Sequence, residues 1–377
     1  MATTMTKRID AAAVARELGP RLAARAAQHD ADDSFVADSY QNFKEAKLFS
    51  AGVPAELGGG GATHAELCEM LNELGRHCGS SALSLSMHTH LLAATVWRYR
   101  NNLPLAEGLL KRIAAEELVL VSSGGSDWLD GSGTLEKSDG TYEFKARKVF
   151  GSGSPSGDVL VTTGVYDDPT NGPTVMHFGV SLRDPKVKIL DNWRTLGMRA
   201  TGSNDIVIDG VIVKDESITL RRPKGKWAPF FDVVTAVAWP LVSAAYLGVA
   251  EAARPTALAF AAKKRDDTVM QALVGEMDTH LAAARLAWRE MIRLANNYDF
   301  KPSLQMSKEL YEYKTLFSRS AIGAVDKAME IASGPGFFRS AGLERLFRDV
   351  QGTRYHPWNE KRQAVFSGRI ALGLDPV

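Results

Sequence analysis

The chain has 377 residues, 45% of them hydrophobic, which is enough for two or three packed units with sizeable cores. Its formal net charge is +1, so no overall electrostatic field favours nucleic acid or a membrane surface as a partner. It has two cysteines, Cys68 and Cys78, which excludes a disulfide framework and a cysteine-based metal site and fits a reducing cytoplasm.

The first part of the chain, residues 1–117, is expected to form a helical domain. Apolar residues recur at helical spacing in 12–26 and again in 65–74. Pro54 and the glycine run 58–61 interrupt this pattern. No strand precedes the glycines and no Lys-Ser or Lys-Thr pair follows them, so the run predicts a connecting loop rather than a phosphate-binding loop.

Residues 118–224 change in character and predict a β domain. Runs rich in β-branched and aromatic residues are separated by Gly, Asp and Pro. None is followed by a helix long enough for a βαβ unit, so we expect an antiparallel barrel or sandwich. The strand-like runs are LVLVSS (118–123), YEFKARKVF (142–150), DVLVTTGV (158–165), TVMHFGVSL (174–182) and NDIVIDGVIV (204–213).

Residues 225–377 are predicted to form a four-helix bundle, because helical segments separated by short breaks are typical of antiparallel bundles. Pro255 should kink the first segment. That segment contains a nearly apolar stretch, 236–253, about as long as a membrane span, but Pro240 and Glu251 favour a buried helix. The predicted helices are 233–264, 268–298, 307–333 and 361–372. The whole chain is therefore predicted to be α+β and mostly α.

The stretch Asp191–Asp215 has the residue pattern of a binding loop followed by a strand. Gly197 and Gly202 would let the backbone approach a ligand closely, and Arg199 and Ser203 would supply hydrogen-bond donors. An ordinary β-turn with a surface arginine is the alternative interpretation of these residues.

Four motifs, in the right order, resemble the acyl-CoA dehydrogenase superfamily over nearly the whole chain. They are ELGRHCGSSALSLSMH (73–88), GGSDW (124–128) with ARKVFGSGS (146–154), NWRTLGMRATGSNDIVIDGV (192–211) and ASGPGFFRSAGLERLFRDV (332–350). The resemblance implies a flavin held between the β domain and the bundle. It also implies a homotetramer or a homodimer.

Two enzyme branches share this fold, and the position of a catalytic glutamate separates them. In the dehydrogenases, which oxidise acyl-CoA thioesters, the base usually follows an Arg-Asp pair; after Arg348–Asp349 that position is Pro357 here. The other position known for this base falls near Ala238, with no acid nearby except Asp232. Because proline cannot accept a proton, the sequence favours the flavin-dependent monooxygenases, which use reduced flavin and O2 on a small organic substrate. Two alternatives remain open: an acyl-CoA dehydrogenase with a relocated base such as Glu360, and a flavin- or CoA-binding protein without catalytic activity.

The resemblance to dibenzothiophene monooxygenases implies three catalytic residues, His88, Ser152 and His356. His90 is a weaker candidate because it lies on a different helix face from His88. On the residues alone, His88 could be a capping or surface histidine, and His356 could belong to a turn fixed by the following proline. The residues predicted to bind the cofactor are Ser126, Phe150, Ser152, Trp193, Arg199, Ser203, Gly334 and Gly336, with a helix C-cap as the alternative for the last two.

The expected partners follow from the same resemblance. The resemblance implies a flavin cofactor. The segment AAKKRDDTV lacks the Phe-Gly by which the dehydrogenases grip the adenine half of FAD, so both FAD and FMN stay open. A monooxygenase would receive reduced flavin from a partner reductase, and its substrate would be a small molecule, with acyl-CoA as the alternative. No nucleic acid, membrane or metal ion is expected, and the histidines have no metal-ligand spacing.

Overall fold

The computed structural model describes residues 8–123 and 127–377, and the first part of the chain is helical as predicted. Thr63 begins the third helix with a capping box, in which its hydroxyl accepts from the backbone N–H of Glu66 and the Glu66 carboxylate accepts from the N–H of Thr63. The glycine run lies in the loop that precedes this helix. The helices are α1 (Ala11–Asp32), α2 (Ala37–Glu45), α3 (His64–His77), α4 (Gly79–Arg100) and α5 (Ala106–Glu116).

The middle of the chain forms a sheet that contains eight strands in the described residues. The five predicted runs each contain a strand, whereas β2, β6 and β8 were not predicted. The strands are β1 (Leu120–Ser122), β2 (Thr134–Ser138), β3 (Thr141–Gly151), β4 (Val159–Asp168), β5 (Gly172–Ser181), β6 (Val187–Ile189), β7 (Asn204–Lys214) and β8 (Leu220–Pro223).

The sheet order is β6-β7-β3-β2-β4-β5-β8, with β1 added beside β4. Most neighbours are antiparallel, as expected, but β4 pairs in parallel with β1 and with β2, so the sheet is mixed. No pairing among the described residues joins β6 to β8, so the alternative of a closed barrel is not supported. One face buries a separate apolar core in which the rings of Phe144 and Phe178 meet edge to face, 4.9 Å apart.

The last part of the chain is a helical bundle with one more helix than predicted. Pro240 and Pro255 both lie inside α6 without interrupting it. By length and composition α6 could cross a membrane, but 94% of its most apolar stretch is buried inside the protein, in agreement with the predicted buried helix. The helices are α6 (Pro229–Ala261), α7 (Thr268–Ala295), α8 (Leu304–Gly336), α9 (Leu343–Val350) and α10 (Glu360–Ala371); α9 was not predicted.

Close helix packing joins the first and last parts of the chain. A Cβ at Gly75 of α3 would lie 2.4 Å from the carbonyl oxygen of Ala245 in α6, and one at Gly248 would lie 2.3 Å from that of Asn72. Only glycine allows the two backbones to approach this closely. The observed fold confirms the predicted α+β class, while the domain boundaries at 117 and 224 remain predictions.

Candidate active site

A cavity of about 630 Å³ opens between the sheet, helices α4 and α6, and the segment that follows α9. Helical periodicity explains two of its walls, because residues three or four apart share one face of a helix. The α4 wall consists of Leu83, Met87 and His90, and the α6 wall consists of Val234, Ala238, Trp239, Val242 and Tyr246. These walls are mostly apolar, so the inner part of the cavity can exclude water.

The sheet side of the cavity carries a chain of hydroxyl groups. The Oγ atoms of Ser152 and Ser203 lie 2.7 Å apart, and Ser203 Oγ lies 2.7 Å from Thr201 Oγ1. Thr201 donates to the carbonyl oxygen of Met198, which can only accept. The chain therefore runs from Ser152 through Ser203 to Thr201, and it leaves Ser152 Oγ with lone pairs that can accept a hydrogen bond at the cavity.

The predicted binding loop 193–198 lines the cavity and is held against α9. Trp193 Nε1 donates to the carbonyl of Met198 at 3.0 Å, and the Trp193 ring meets the Phe150 ring edge to face at 5.9 Å. Met198 N donates to the buried carboxylate of Asp349 at 2.5 Å. Both aromatic rings predicted to contact the cofactor are thus brought together at one side of the cavity.

His356 also lines the cavity. Its Nε2 shares a hydrogen bond of 2.7 Å with the hydroxyl of Tyr246. Burial lowers the pKa of His356 to about 3, with the nearby Lys314 as a second cause, so the imidazole is neutral at pH 7. Tyr246 was missed in the sequence because it lies in an apolar helix, although its spacing from Ala238 and Val242 puts all three on one face.

Of the two histidines of α4, the predicted catalytic residue His88 lies outside the cavity lining, whereas the weaker candidate His90 lines it. His88 does not line the cavity: its Nε2 donates to the carbonyl of Phe49 at 2.8 Å, and its Nδ1 accepts from the N–H of Leu120 at 3.0 Å. Both ring nitrogens are thereby used to join α4 to its neighbours. Neither ring nitrogen of His88 is therefore free to act on a substrate or a flavin, as the predicted catalytic role would require.

His90 is the histidine of α4 that reaches the cavity. Its Nδ1 lies 3.1 Å from the carbonyl of Ser86, which fixes the proton on Nδ1 because a carbonyl only accepts. Nε2 has no hydrogen-bond partner among the described residues and keeps its lone pair. Burial lowers the pKa of His90 to about 4, so this nitrogen is an unprotonated acceptor at pH 7.

Three other predicted cofactor residues lie outside the cavity lining. Arg199 forms an ion pair of 2.5 Å with Asp33 at the end of α1. Gly334 and Gly336 lie at the end of α8, where the backbone leaves helical geometry at Ser333, as in the alternative interpretation of a helix end. The predicted Ser126 lies outside the described residues.

No aspartate or glutamate lines the cavity in the described part of the chain. Glu360, the residue considered as a relocated base, pairs with Arg319 at 2.6 Å. Asp232 accepts hydrogen bonds from Ser307 and Trp227 and also lies outside the lining. The strongest bases that reach the cavity are therefore imidazoles.

Comparison with known proteins identifies the family. Residues 7–116 match the family model of the acyl-CoA dehydrogenase N-terminal domain, and residues 241–360 match that of the C-terminal domain. Together the two models cover well over half of the chain. The chain belongs to the acyl-CoA dehydrogenase superfamily. This confirms the predicted family and a flavin-dependent oxidoreductase as the enzyme class.

Relatives in this superfamily have several activities. The amino sugar nitrososynthase DnmZ of Streptomyces peucetius is 28% identical over 94% of this chain and 91% of its own length. The dibenzothiophene monooxygenase of Mycolicibacterium goodii is 26% identical over 91% and 89%. The cyclohex-1-ene-1-carbonyl-CoA dehydrogenase of Geobacter metallireducens is 26% identical over 95% and 94%. Family membership alone does not choose among these activities.

A solved structure of KijD3 in complex with FMN and dTDP-3-amino-2,3,6-trideoxy-4-keto-3-methyl-D-glucose has the same fold. Its TM-score is 0.87 with 28% identity, covering 97% of this chain and 95% of that one.

The cavity of this chain fits a flavin on its own chemistry. Its volume is in the range of small-molecule and cofactor sites. It combines aromatic rings, which suit a planar heterocycle, with a short row of hydroxyls, and its described lining residues include no carboxylate that would repel an anionic cofactor tail.

Proposed function

We propose that this protein is an FMN-dependent monooxygenase that acts on a small organic substrate. The observation that carries the proposal is the pair of neutral imidazoles, His90 and His356, in a cavity whose described lining has no carboxylate. Removal of an α-proton from an acyl thioester needs a basic group of sufficient strength within reach. FMN is preferred to FAD because KijD3 is solved with FMN and is similar over nearly the whole chain.

Bound reduced FMN would supply the two electrons that let one oxygen atom enter the substrate while the other leaves as water. The chain's own residues would hold the ring and manage protons. Phe150 and Trp193 offer aromatic contact to the flavin, and Ser152 Oγ offers an acceptor for an N–H group, which suits a reduced flavin. The apolar walls of α4 and α6 would keep bulk water away.

The two histidines would have different tasks. His90 Nε2 holds a free lone pair and would accept a proton from the substrate or from a bound water. His356, joined to Tyr246 by a hydrogen bond, would pass a proton toward the oxygen that becomes water. A neutral imidazole suits both tasks because it can accept a proton at one nitrogen while donating from the other.

The test is to load the protein with FMN, reduce it without oxygen, mix it with O2 and follow the release of H2O2. The wild-type protein should release H2O2 more slowly than free reduced FMN does. In His90→Ala and His356→Ala, H2O2 release should become at least about ten-fold faster. This is a smaller effect than the roughly 10²–10⁴-fold that general acid–base catalysis typically contributes. The FMN affinity of both variants should change only a few-fold. His280→Ala, a histidine on α7 outside the cavity lining, is the matched control.

The dehydrogenase alternative has its own assay. If acyl-CoA bleaches the absorbance of the oxidised flavin under anaerobic conditions, the monooxygenase proposal is wrong. A purified protein that binds neither FMN nor FAD would favour the non-catalytic alternative. A wild-type protein that releases H2O2 as fast as free reduced FMN would also contradict the proposal.

A further inference from the structure

Lys314 of α8 is a lysine inside the protein core. Only 3% of its surface is exposed, although lysine is one of the residues least often buried completely. It does not line the cavity. Burying an amine raises the free energy of the folded state unless its N–H donors make hydrogen bonds, so the partners of Lys314 indicate what it does.

The partners of Lys314 are main-chain carbonyls rather than an acidic side chain. Its Nζ donates to the carbonyl oxygens of His356 and Trp358, each at 3.0 Å. Its amine also lies 4.8 Å from the centre of the Trp239 ring. No carboxylate in the described parts of the chain is within ion-pair distance of it, and burial lowers the pKa of Lys314 to about 7. The side chain therefore holds the backbone on both sides of Pro357.

The segment held in this way is part of the site. His356, Pro357 and Trp358 all line the cavity. Trp358 O has a second donor, Gln363 Nε2 at 2.5 Å, so this end of the segment is held without Lys314. The carbonyl of His356 has Lys314 as its donor, while Tyr246 holds the ring of the same residue.

We propose that Lys314 is a positioning residue, which fixes the backbone of His356 so that its ring stays at Tyr246 and faces the cavity. It would act through hydrogen bonds donated to the carbonyls and not through contact with substrate or flavin. The effect on oxygen chemistry rests on the proposed function, whereas the effect on the segment does not.

The segment itself can be tested without cofactor, by hydrogen exchange of the peptide that covers residues 354–363. Lys314→Met keeps an unbranched side chain but has no donor, so exchange should become roughly ten- to thirty-fold faster, as expected for the loss of two hydrogen bonds. Lys314→Gln keeps two N–H donors and should slow the exchange toward the wild-type rate. Lys308→Met is the control, because Lys308 lies on the same helix and pairs with Glu312 near the surface.

Two results of this exchange experiment would overturn the positioning role. One is a Lys314→Met protein that exchanges like the wild type. The other is a Lys314→Gln protein that exchanges as fast as Lys314→Met, since donors would then not be what the segment requires. Both results are independent of any reaction with oxygen.

A double-mutant comparison tests whether Lys314 acts through His356. In the FMN-loaded protein, Lys314→Met should speed H2O2 release in the same direction as His356→Ala, and the double variant should be no faster than His356→Ala alone. Additive effects would mean that Lys314 does not act through His356. If the protein shows no oxygen chemistry while the exchange result holds, the proposed function fails and the hold of Lys314 on the segment stands.

Discussion

Replacing Gly197 with alanine tests whether the loop that carries Trp193 is fixed by α9. A Cβ at this position would lie 2.2 Å from the carbonyl oxygen of Arg348 and 2.7 Å from the N–H nitrogen of Asp349. Real Cβ atoms do not approach backbone atoms this closely. The neighbour is helical backbone and cannot rotate away like a flexible side chain, so the loop itself must move outward.

The expected cost can be worked from what that movement breaks. Inserting a methyl group into a packed contact costs about 1–3 kcal/mol. Moving the loop also separates Met198 N from the buried Asp349 carboxylate, and a hydrogen bond to a charged group contributes about 1.5–3 kcal/mol. We therefore expect Gly197→Ala to lower the free energy of unfolding by about 2.5–6 kcal/mol, a large part of the stability of a typical protein.

Urea unfolding followed by circular dichroism measures this change, and an FMN titration measures its effect on the site. FMN affinity should fall as well, because Trp193 and Leu196 move with Gly197. Gly108→Ala is the control: Gly108 lies exposed in α5 with no atom within 4 Å of an added Cβ, so alanine should stabilise by about 0.5–1 kcal/mol. Unchanged stability and FMN affinity in Gly197→Ala would refute the argument.

Two further predictions concern buried polar groups. His88→Ala should lower the free energy of unfolding by about 2–5 kcal/mol, because it leaves the backbone groups of Phe49 and Leu120 unpaired; stability equal to that of His90→Ala in urea unfolding would contradict this. Burial raises the pKa of Asp349 to about 6, above its usual value of 3.8. The folded state then binds more protons, so this residue's contribution falls by up to about 3 kcal/mol as pH rises from about 4 through 6. Asp349→Asn should remove that decline. If the free energy of unfolding, measured at pH 4, 5, 6 and 7, changes with pH by the same amount in both proteins, the prediction is wrong.

The sequence predicts the elements with a strong pattern and misses those without one. The long β-branched runs of β4 and β7 and the long, strongly apolar run of α6 have patterns that are recognisable in the sequence. Strand β2, with the sequence TLEKS, buries only Leu135, and β6 has three residues, so neither has a readable alternation. Their pairing depends on neighbours that are distant in the sequence.

The motifs predict the strand and loop residues of the site, whereas the helical residues depend on how each helix is rotated. Ser152, Ser203, Trp193 and Phe150 line the cavity as the motifs suggested. The choice between the two histidines of α4 depended on which face of the helix meets the cavity. Leu83, Met87 and His90 follow one another at four- and three-residue spacing, so they share one face of α4. The sequence alone does not say which face of α4 meets the cavity.

Helix α6 supplies a cavity wall and is also the most deeply buried helix of the bundle, with every residue from Phe231 to Ala250 buried. Reshaping the pocket at Val234 or Val242 therefore means repacking the fold, at about 1 kcal/mol for each methylene removed. Exposed rim positions such as Leu196 and Tyr355 carry no such penalty. Divergence in substrate range among proteins of this shape should accumulate at the rim, while the helix behind it stays nearly constant in volume.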